Sequence, residues 1–371
     1  MRVVIAPDSF KGSITATAAA VALAEGWRSA RPADQVTCLP LADGGEGTLE
    51  VLAAGVAGAR WRRARVSGPG GAPVKCDWLE LPGAAAAVEL ARASGLPLLA
   101  SPDPMRAQTT GLGELLGIAL DGGARSVLIG LGGSAATDGG TGALAVLGAR
   151  FLDAAGCRLP PGGGALARLA RVDTSALRPP PAAVTCLTDV TAPLLGPAGA
   201  AAVFGPQKGA TPGQVTRLEA GLARLAELLG GDPGAPGAGA AGGTGYGLAA
   251  AWGAAIIPGA PELARLAGLD EAVAAADLVV TGEGRFDPTS LTGKATGLLL
   301  AAAAAAGVPA AVVAGQLGGA PPASAAVLTL AALAGGTGPA LADPARWLRR
   351  AGRELAGRNW PSGGRGSGPG H

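Results

Sequence analysis

The chain of 371 residues contains one histidine, His371, and one asparagine, Asn359. With the only histidine at the last position, a Ser-His-Asp triad, a histidine-ligated zinc site and a histidine general base are excluded. Proton transfer therefore falls to Asp, Glu or Lys. Aromatic residues make up 3% of the chain, too few for the stacking platforms that hold single-stranded nucleic acid. A net charge of +2 with no Lys/Arg block provides no stripe to follow a phosphate backbone, so no nucleic-acid partner is expected. Long hydrophobic runs are also missing. The longest, Leu298 to Ala314, is mostly alanine and is broken by Gly307-Val308-Pro309. A membrane span needs about 20 strongly apolar residues, so this stretch reads as a helix followed by a buried strand. The apolar run at Met1–Ala6 is too short for a signal peptide and meets Pro7-Asp8. Cys38, Cys76, Cys157 and Cys186 form no CxxC pair and read as buried free thiols in a reducing compartment. The expected location is the cytoplasm, with no membrane association.

The chain has 64 glycines and 30 prolines, a proportion that suits disorder, yet 49% of it is hydrophobic and arranged in repeated apolar runs, so it folds. The length fits two ordinary domains or one large α/β unit. One pattern recurs: a short apolar strand, a Gly-rich loop carrying an acid or lysine, then an Ala/Leu-rich helix. Val3–Ala6 leads into Pro7-Asp8-Ser9-Phe10-Lys11-Gly12-Ser13 and a helix over 15–31. Val36–Leu41 leads into Asp43-Gly44-Gly45-Glu46-Gly47 and a helix from Thr48. Ser126–Leu131 leads into Gly132-Gly133-Ser134 and Asp138-Gly139-Gly140. Leu278–Thr281 leads into Gly282-Glu283-Gly284-Arg285-Phe286-Asp287 and a helix over 293–306. Alternation of this kind predicts βαβ units and a mainly parallel sheet, with ligands outside the carboxyl ends of the strands, where these polar loops fall. Thr211-Pro212 reads as the start of a helix to about Leu229. Gly230–Gly247 reads as a linker or a phosphate-approaching loop, and Gly357–His371 as a disordered tail.

Arginine outnumbers lysine 25 to 4. Three of the four lysines, Lys11, Lys208 and Lys294, adjoin glycine, and a compact ammonium suits a phosphate oxygen in a tight loop. Asp8, Asp43, Glu46, Asp138, Asp189, Glu283 and Asp287 stand at or just after predicted strand ends. Any one of them could be a solvated loop acid or a helix cap. Together with the lysines and glycine loops they point to an ATP-dependent kinase, in which carboxylates hold Mg²⁺ and orient the acceptor. No Walker A pattern is present. Gly130-Leu131-Gly132-Gly133-Ser134-Ala135 matches the GxGxxA of a dinucleotide fold, with Asp153 about 20 residues on. The same stretch loosely resembles the glycine loop of the GHMP small-molecule kinases, whose other motifs are not evident.

Further segments extend the pattern: Asp189-Val190-Thr191, Phe204-Gly205-Pro206-Gln207-Lys208-Gly209-Ala210-Thr211-Pro212, Gly239-Ala240-Ala241-Gly242-Gly243, and Gly293-Lys294. In this order they resemble the type I glycerate kinase family from the first strand to about residue 318, and more weakly to about residue 356. The resemblance implies transfer of the ATP γ-phosphate to glycerate with Mg²⁺, in hydroxy-acid catabolism, the 2-phosphate being favoured over the 3-phosphate. It implies two α/β domains. One, with a Rossmann- or flavodoxin-like parallel sheet, is built from both chain ends (1–65 and 240–356), and the second (66–239) is inserted. A homodimer is compatible with the sequence but not specified by it. A non-catalytic hydroxy-acid-binding module is the alternative from another class.

The expected roles follow the same motifs. Asp8, Lys11, Asp43, Asp189 and Lys294 are the catalytic candidates, and Ser9, Glu46, Arg285 and Asp287 the substrate-binding ones. Gly132, Gly133, Ser134, Lys208 and Gly282 are candidates for the nucleotide phosphates, and Asp189 and Glu283 for the metal. Arg285 could fork onto the substrate carboxylate or pair with a nearby acid. The chain departs from the family pattern at Thr137 and Ala192, where asparagine is usual, and at Pro288-Thr289, where glutamine or a similar residue is common.

Overall fold

The fold is that of a computed structural model, which describes residues 1–291, 294–319 and 325–360. Gly293, His371 and the expected tail from residue 361 onward lie outside the described residues. Two compact units emerge: residues 1–43, 50–56 and 260 onward form the first, and residues 44–49 with 57–259 the second.

The first unit is built on a five-stranded sheet in the order Ala325–Thr329, Ala310–Leu317, Leu278–Phe286, Arg2–Ile5, Gln35–Cys38. All four neighbouring pairs are parallel. Buried on both faces, its central strands carry continuous apolar runs such as Val3-Val4-Ile5 and Leu278-Val279-Val280. The strand predicted to stop at Thr281 runs on to Phe286. Gly282 and Glu283 pair with Val313 and Ala314, and Arg285 and Phe286 with Gln316 and Leu317. Gly282 and Gly284 are therefore strand residues. A Cβ on Gly282 would strike the Val313 carbonyl, so glycine serves close approach between strands here and does not form a turn.

The helix Ala16–Ala30 begins where Thr15 Oγ1 accepts from the Ala18 amide. It lies against the last helix, Pro344–Ala356, in a core that includes Leu23, Trp27, Leu348 and Leu355. The two backbones come close through one glycine each: a Cβ on Gly26 would strike the Arg349 carbonyl, and one on Gly352 the Leu23 carbonyl. Trp360 Nε1 donates to the Leu355 carbonyl at 2.9 Å, so the described part of the expected tail, residues 357–360, turns back onto this helix.

The second unit holds a six-stranded mixed sheet in the order Ala255–Pro258, Ala183–Thr188, Ser126–Gly130, Ala85–Glu89, Pro73–Leu81, Arg60–Ser67. The first four are parallel and the last two antiparallel. The Arg60–Ser67 strand is an edge carrying Arg60, Arg62, Arg63 and Arg65, charges that discourage pairing with another chain. Thr211 and Gln214 form a reciprocal capping box at the start of the helix Pro212–Leu229. The stretch expected as a linker or a phosphate-approaching loop over 230–247 is mostly exposed over 230–236 and enters a buried helix from Ala240. The helix Ala240–Trp252 opens with Ala241, Gly242 and Gly243 at φ of 53°, 66° and 85°. Only glycine takes that left-handed turn without strain, and alanine at 241 is a rare exception. The four cysteines are free thiols, Cys76 and Cys186 buried as expected, but Cys38, on the edge strand Gln35–Cys38, is only half-buried and Cys157, in the turn after Phe151-Leu152, is exposed. No helix among the described residues is long and apolar enough to cross a membrane.

Replacing Gly352 by valine forces the first and last helices apart. Overpacking of this kind costs about 1–3 kcal/mol, and a chemical-denaturation curve should show that loss.

Candidate active site

In the first sheet the chain leaves Arg2–Ile5 toward Gln35–Cys38 on one side and Leu278–Phe286 toward Ala310–Leu317 on the other. The direction of winding thus switches between Arg2–Ile5 and Leu278–Phe286, which opens a crevice at their carboxyl ends. Two segments fill its mouth. Pro7–Ser13 is a tight turn pinned by buried Phe10, whose amide donates to the Ile14 carbonyl at 3.0 Å while its carbonyl accepts from Ser13 N at 2.9 Å. Facing it is the extended end of Leu278–Phe286. The Asp8 amide donates to the Gly282 carbonyl at 2.8 Å and locks the two together.

A cleft of about 380 Å³ follows, lined by Asp8, Ser9, Lys11, Asp43, Glu283, Arg285, Asp287 and Lys294 among others. The first unit thus gathers all of these predicted residues, with Gly282 in the adjoining strand. Burial pushes the Asp8 carboxyl up to about 7, helped by the negative charges of Asp43 and Glu283 and opposed by the Ser9 amide and Lys11. The Ser9 amide donates to Asp8 Oδ1 at 2.6 Å. Lys11 Nζ is 3.8 Å from Asp43 Oδ2, and its side chain is 79% exposed. Glu283 is nearly buried, and burial raises its carboxyl against the nearby Ser290 and Thr296 hydroxyls and the Lys294 ammonium. Its Oε1 makes no hydrogen bond of ordinary geometry among the described residues.

Asp287 is held below the usual carboxylate range by the Thr289 hydroxyl and amide, which donate to Oδ1 at 2.6 Å and 2.9 Å, with Lys294 and Arg285 adding positive charge. Arg285 Nε approaches Asp287 Oδ2 only to 3.8 Å, and its side chain is otherwise open. Lys294 occupies the N-cap position of the helix Ala295–Ala305 and donates to Thr289 Oγ1 at 3.2 Å.

The remaining predicted residues belong to the second unit. Gly132 and Gly133 follow the strand Ser126–Gly130, and a Cβ on Gly133 would come within 3.0 Å of Glu46 Oε1. The Ser134 hydroxyl is engaged inside its own loop, accepting from the Ala136 amide at 3.1 Å. Lys208 is buried and donates to the Ala136 carbonyl. Burial depresses its ammonium to about 8, opposed by the charge of Asp138. Asp138 is fully buried and accepts from Thr109 N and Oγ1, each at 2.9 Å, and from Gly140 N at 3.1 Å. Lys208 thus tethers the turn at 206–208 to the loop before Asp138, while Asp189 stands exposed after the strand Ala183–Thr188. Among the described residues no group of three or more His, Cys, Asp or Glu is arranged to hold a metal ion.

Sequence reasoning missed the far wall of the first-unit cleft: Gln316, Leu330, Thr337, Ala340, Leu341 and Pro344. None is charged, and only the tertiary fold brings them to the sheet edge. The nearest signal was the end of the apolar run at Gly315-Gln316.

Carboxylates, two lysines and an arginine around a switch-point cleft, with no histidine among the described residues, define an α/β phosphotransferase acting on a small molecule. The Glycerate kinase family profile matches residues 3–358. The chain is 41% identical over 304 residues to the Glycerate 2-kinase of Escherichia coli (strain K12), covering 79% of this chain and 80% of that one. It is 42% identical over 306 residues to the Glycerate kinase of Bacillus subtilis (strain 168), covering 79% of each. A crystal structure of a candidate glycerate kinase 2 from Salmonella typhimurium LT2 superposes with a TM-score of 0.81 at 38% identity, over 96% of this chain and 97% of that one. The chain belongs to the glycerate kinase family.

A carboxyl raised in the folded state favours folding when protonated and opposes it once charged, so Asp8 weakens the fold as pH rises from the unfolded value near 4 through about 7. Asp8→Asn should raise the thermal midpoint at pH 8 and leave it unchanged at pH 3.5. Thermal melts at the two pH values provide the check.

Proposed function

We propose that this protein transfers the γ-phosphate of ATP to a hydroxyl of glycerate. The observation that carries the mechanism is Asp8: a carboxylate with a pKa near 7, held by a backbone lock at the floor of a cleft that also presents Lys11 and Lys294. A base working near neutral pH is most effective with such a value. In the reading supported by this geometry, the glycerate hydroxyl gives its proton to Asp8 as its oxygen bonds to the γ-phosphorus. The bond from that phosphorus to the β,γ-bridging oxygen breaks, and ADP leaves with the electron pair. Lys11 and Lys294 offset the charge that moves across the phosphates. Arg285, only loosely paired with Asp287, is placed to take the substrate carboxylate.

Asp43 holds Lys11 and, by its charge, keeps the Asp8 pKa high. Ser9 steadies Asp8 through its amide. In the second unit, the Gly132–Ser134 loop beside Glu46 offers backbone donors to an anionic group. Lys208 supports that loop through the Ala136 carbonyl.

Mg²⁺ takes oxygen ligands, commonly one or two carboxylates completed by phosphates and water. The unpartnered Oε1 of Glu283 fits such an ion; Asp189, a carboxylate of the second unit, is the other candidate. When bound, the ion supplies charge neutralisation at the phosphates. The name of the Escherichia coli relative, Glycerate 2-kinase, supports the 2-phosphate as product.

Purified protein with Mg-ATP and D-glycerate should release ADP, and enolase alone should consume the product. Consumption only after phosphoglycerate mutase is added would assign the 3-phosphate, and no ADP release would overturn the reading. Below about pH 7, kcat/KM should fall tenfold per pH unit as Asp8 takes up a proton. Asp8→Asn should abolish most of the activity and flatten that limb of a pH–rate profile. Lys294→Ala should lower kcat/KM about 100-fold, the usual cost of removing one transition-state donor, as steady-state kinetics would show.

A further inference from the structure

The first-unit cleft is divided by chemistry. Every charged side chain that lines it, from Asp8 and Lys11 to Asp287 and Lys294, belongs to the segments before residue 295. Beyond them, the lining from Gly315 to Pro344 contains no charge. Leu330 opens a short helix directly after the strand Ala325–Thr329. Ala340 and Leu341 lie on the helix Thr337–Ala342, and Pro344 starts the last helix. Leu341 is 57% exposed, a large apolar side chain left open at the cleft wall.

The carboxylates stand after the inner strand Arg2–Ile5 and on Leu278–Phe286, and the uncharged wall follows the outer strand Ala325–Thr329. From Arg2–Ile5 to Ala325–Thr329 the sheet makes three strand steps, about 14 Å at roughly 4.8 Å per strand. Glycerate has three carbons, each bearing oxygen. It has no apolar surface for a leucine wall to recognise, and it cannot reach from the carboxylates to that wall. A volume of about 380 Å³ belongs to a larger ligand. A nucleoside triphosphate has both required parts: phosphates for Lys11 and Lys294, and a flat base whose faces are apolar and whose edge forms hydrogen bonds.

We propose that the uncharged wall formed by Leu330, Ala340, Leu341 and Pro344 is the seat of the nucleotide base, with Gln316 and Thr337 available to its edge. The amide of Gln316 both donates and accepts, as an adenine edge requires. The base then lies toward the outer strand of the sheet and the phosphates toward the switch point. This assignment rests on ATP as the phosphoryl donor and extends that reading to where the donor's base lies.

Leu341→Ser removes an exposed apolar contact and adds no charge, and Leu341→Met restores an apolar side chain. Titration calorimetry on the full chain would compare ATP with inorganic tripolyphosphate, which has the phosphates but no base. Leu341→Ser should weaken ATP binding about 3- to 10-fold, leave tripolyphosphate and the KM for D-glycerate within twofold of wild type, and be rescued by Leu341→Met. Equal weakening of ATP and tripolyphosphate, a rise confined to the glycerate KM, or no change in ATP binding would each overturn the base seat. If wild-type protein bound ATP with this Leu341 dependence yet failed to phosphorylate glycerate, the acceptor reading would fall and the base seat would stand.

Discussion

The parallel pairing of Arg2–Ile5 with Leu278–Phe286 is the constraint on which the first unit depends. It joins segments about 275 positions apart, and each end of the pairing is reinforced. At the amino end, Arg2 N donates to Asp277 Oδ2 at 2.8 Å. At the carboxyl end, Asp8 N donates to the Gly282 carbonyl at 2.8 Å and Thr281 Oγ1 to the Ala6 carbonyl at 3.0 Å. The turn after one strand and the extension of the other are thereby held in register, which sets Asp8 beside Glu283. The glycine-mediated contact of the first and last helices supports the same closure from one face of the sheet.

That closure produces the electrostatics of the cleft. Three carboxylates, Asp8, Asp43 and Glu283, share a partly dry space, and desolvation with mutual repulsion raises the pKa of Asp8 into the range where a side chain can exchange protons at neutral pH. Histidine would provide such a value unaided. Here burial and like charge supply it, with Asp8 held in its turn by its amide bond to the Gly282 carbonyl. The second unit uses the opposite device. Asp138 is buried with hydrogen bonds from Thr109, Gly140 and Gly142, and serves to order a loop.

Where local chemistry decides structure, the sequence was easy to read. Thr15 and Thr211 cap helices as their types predict, and the acids after Ile5 and Cys38 fall at strand ends because apolar runs stop there. The motif order was specific enough to indicate the family. Pairing and close approach were not legible. Gly282-Glu283-Gly284-Arg285 reads as a turn because glycine usually breaks strands, and only the neighbouring strand's carbonyls reveal that a side chain would not fit. The three strands between residues 60 and 89 were missed because Arg60–Arg65 is polar on both faces, as an edge permits. The helix after Gly239 was hidden by its left-handed first turn, and the uncharged cleft wall by having no reactive residue to mark it. Lys208, marked out by its glycine neighbour, is buried with its ammonium on the Ala136 carbonyl, a contact no local pattern foretells.

The discontinuity of the first unit has a further consequence, for the order in which the molecule can be made. A ribosome delivers Arg2–Ile5 first, but its partner strand on one side emerges only after all of the second unit has been synthesised. The second unit is nearly contiguous in the chain, and its strands meet neighbours at modest separations, so it can condense while the first strand and helix wait. During that interval the apolar Val3-Val4-Ile5 segment and the inner face of the Ala16–Ala30 helix lack their final cover. Arrested or truncated synthesis before residue 278 would therefore leave a folded second unit attached to an unsatisfied strand, a species suited to chaperone capture or aggregation.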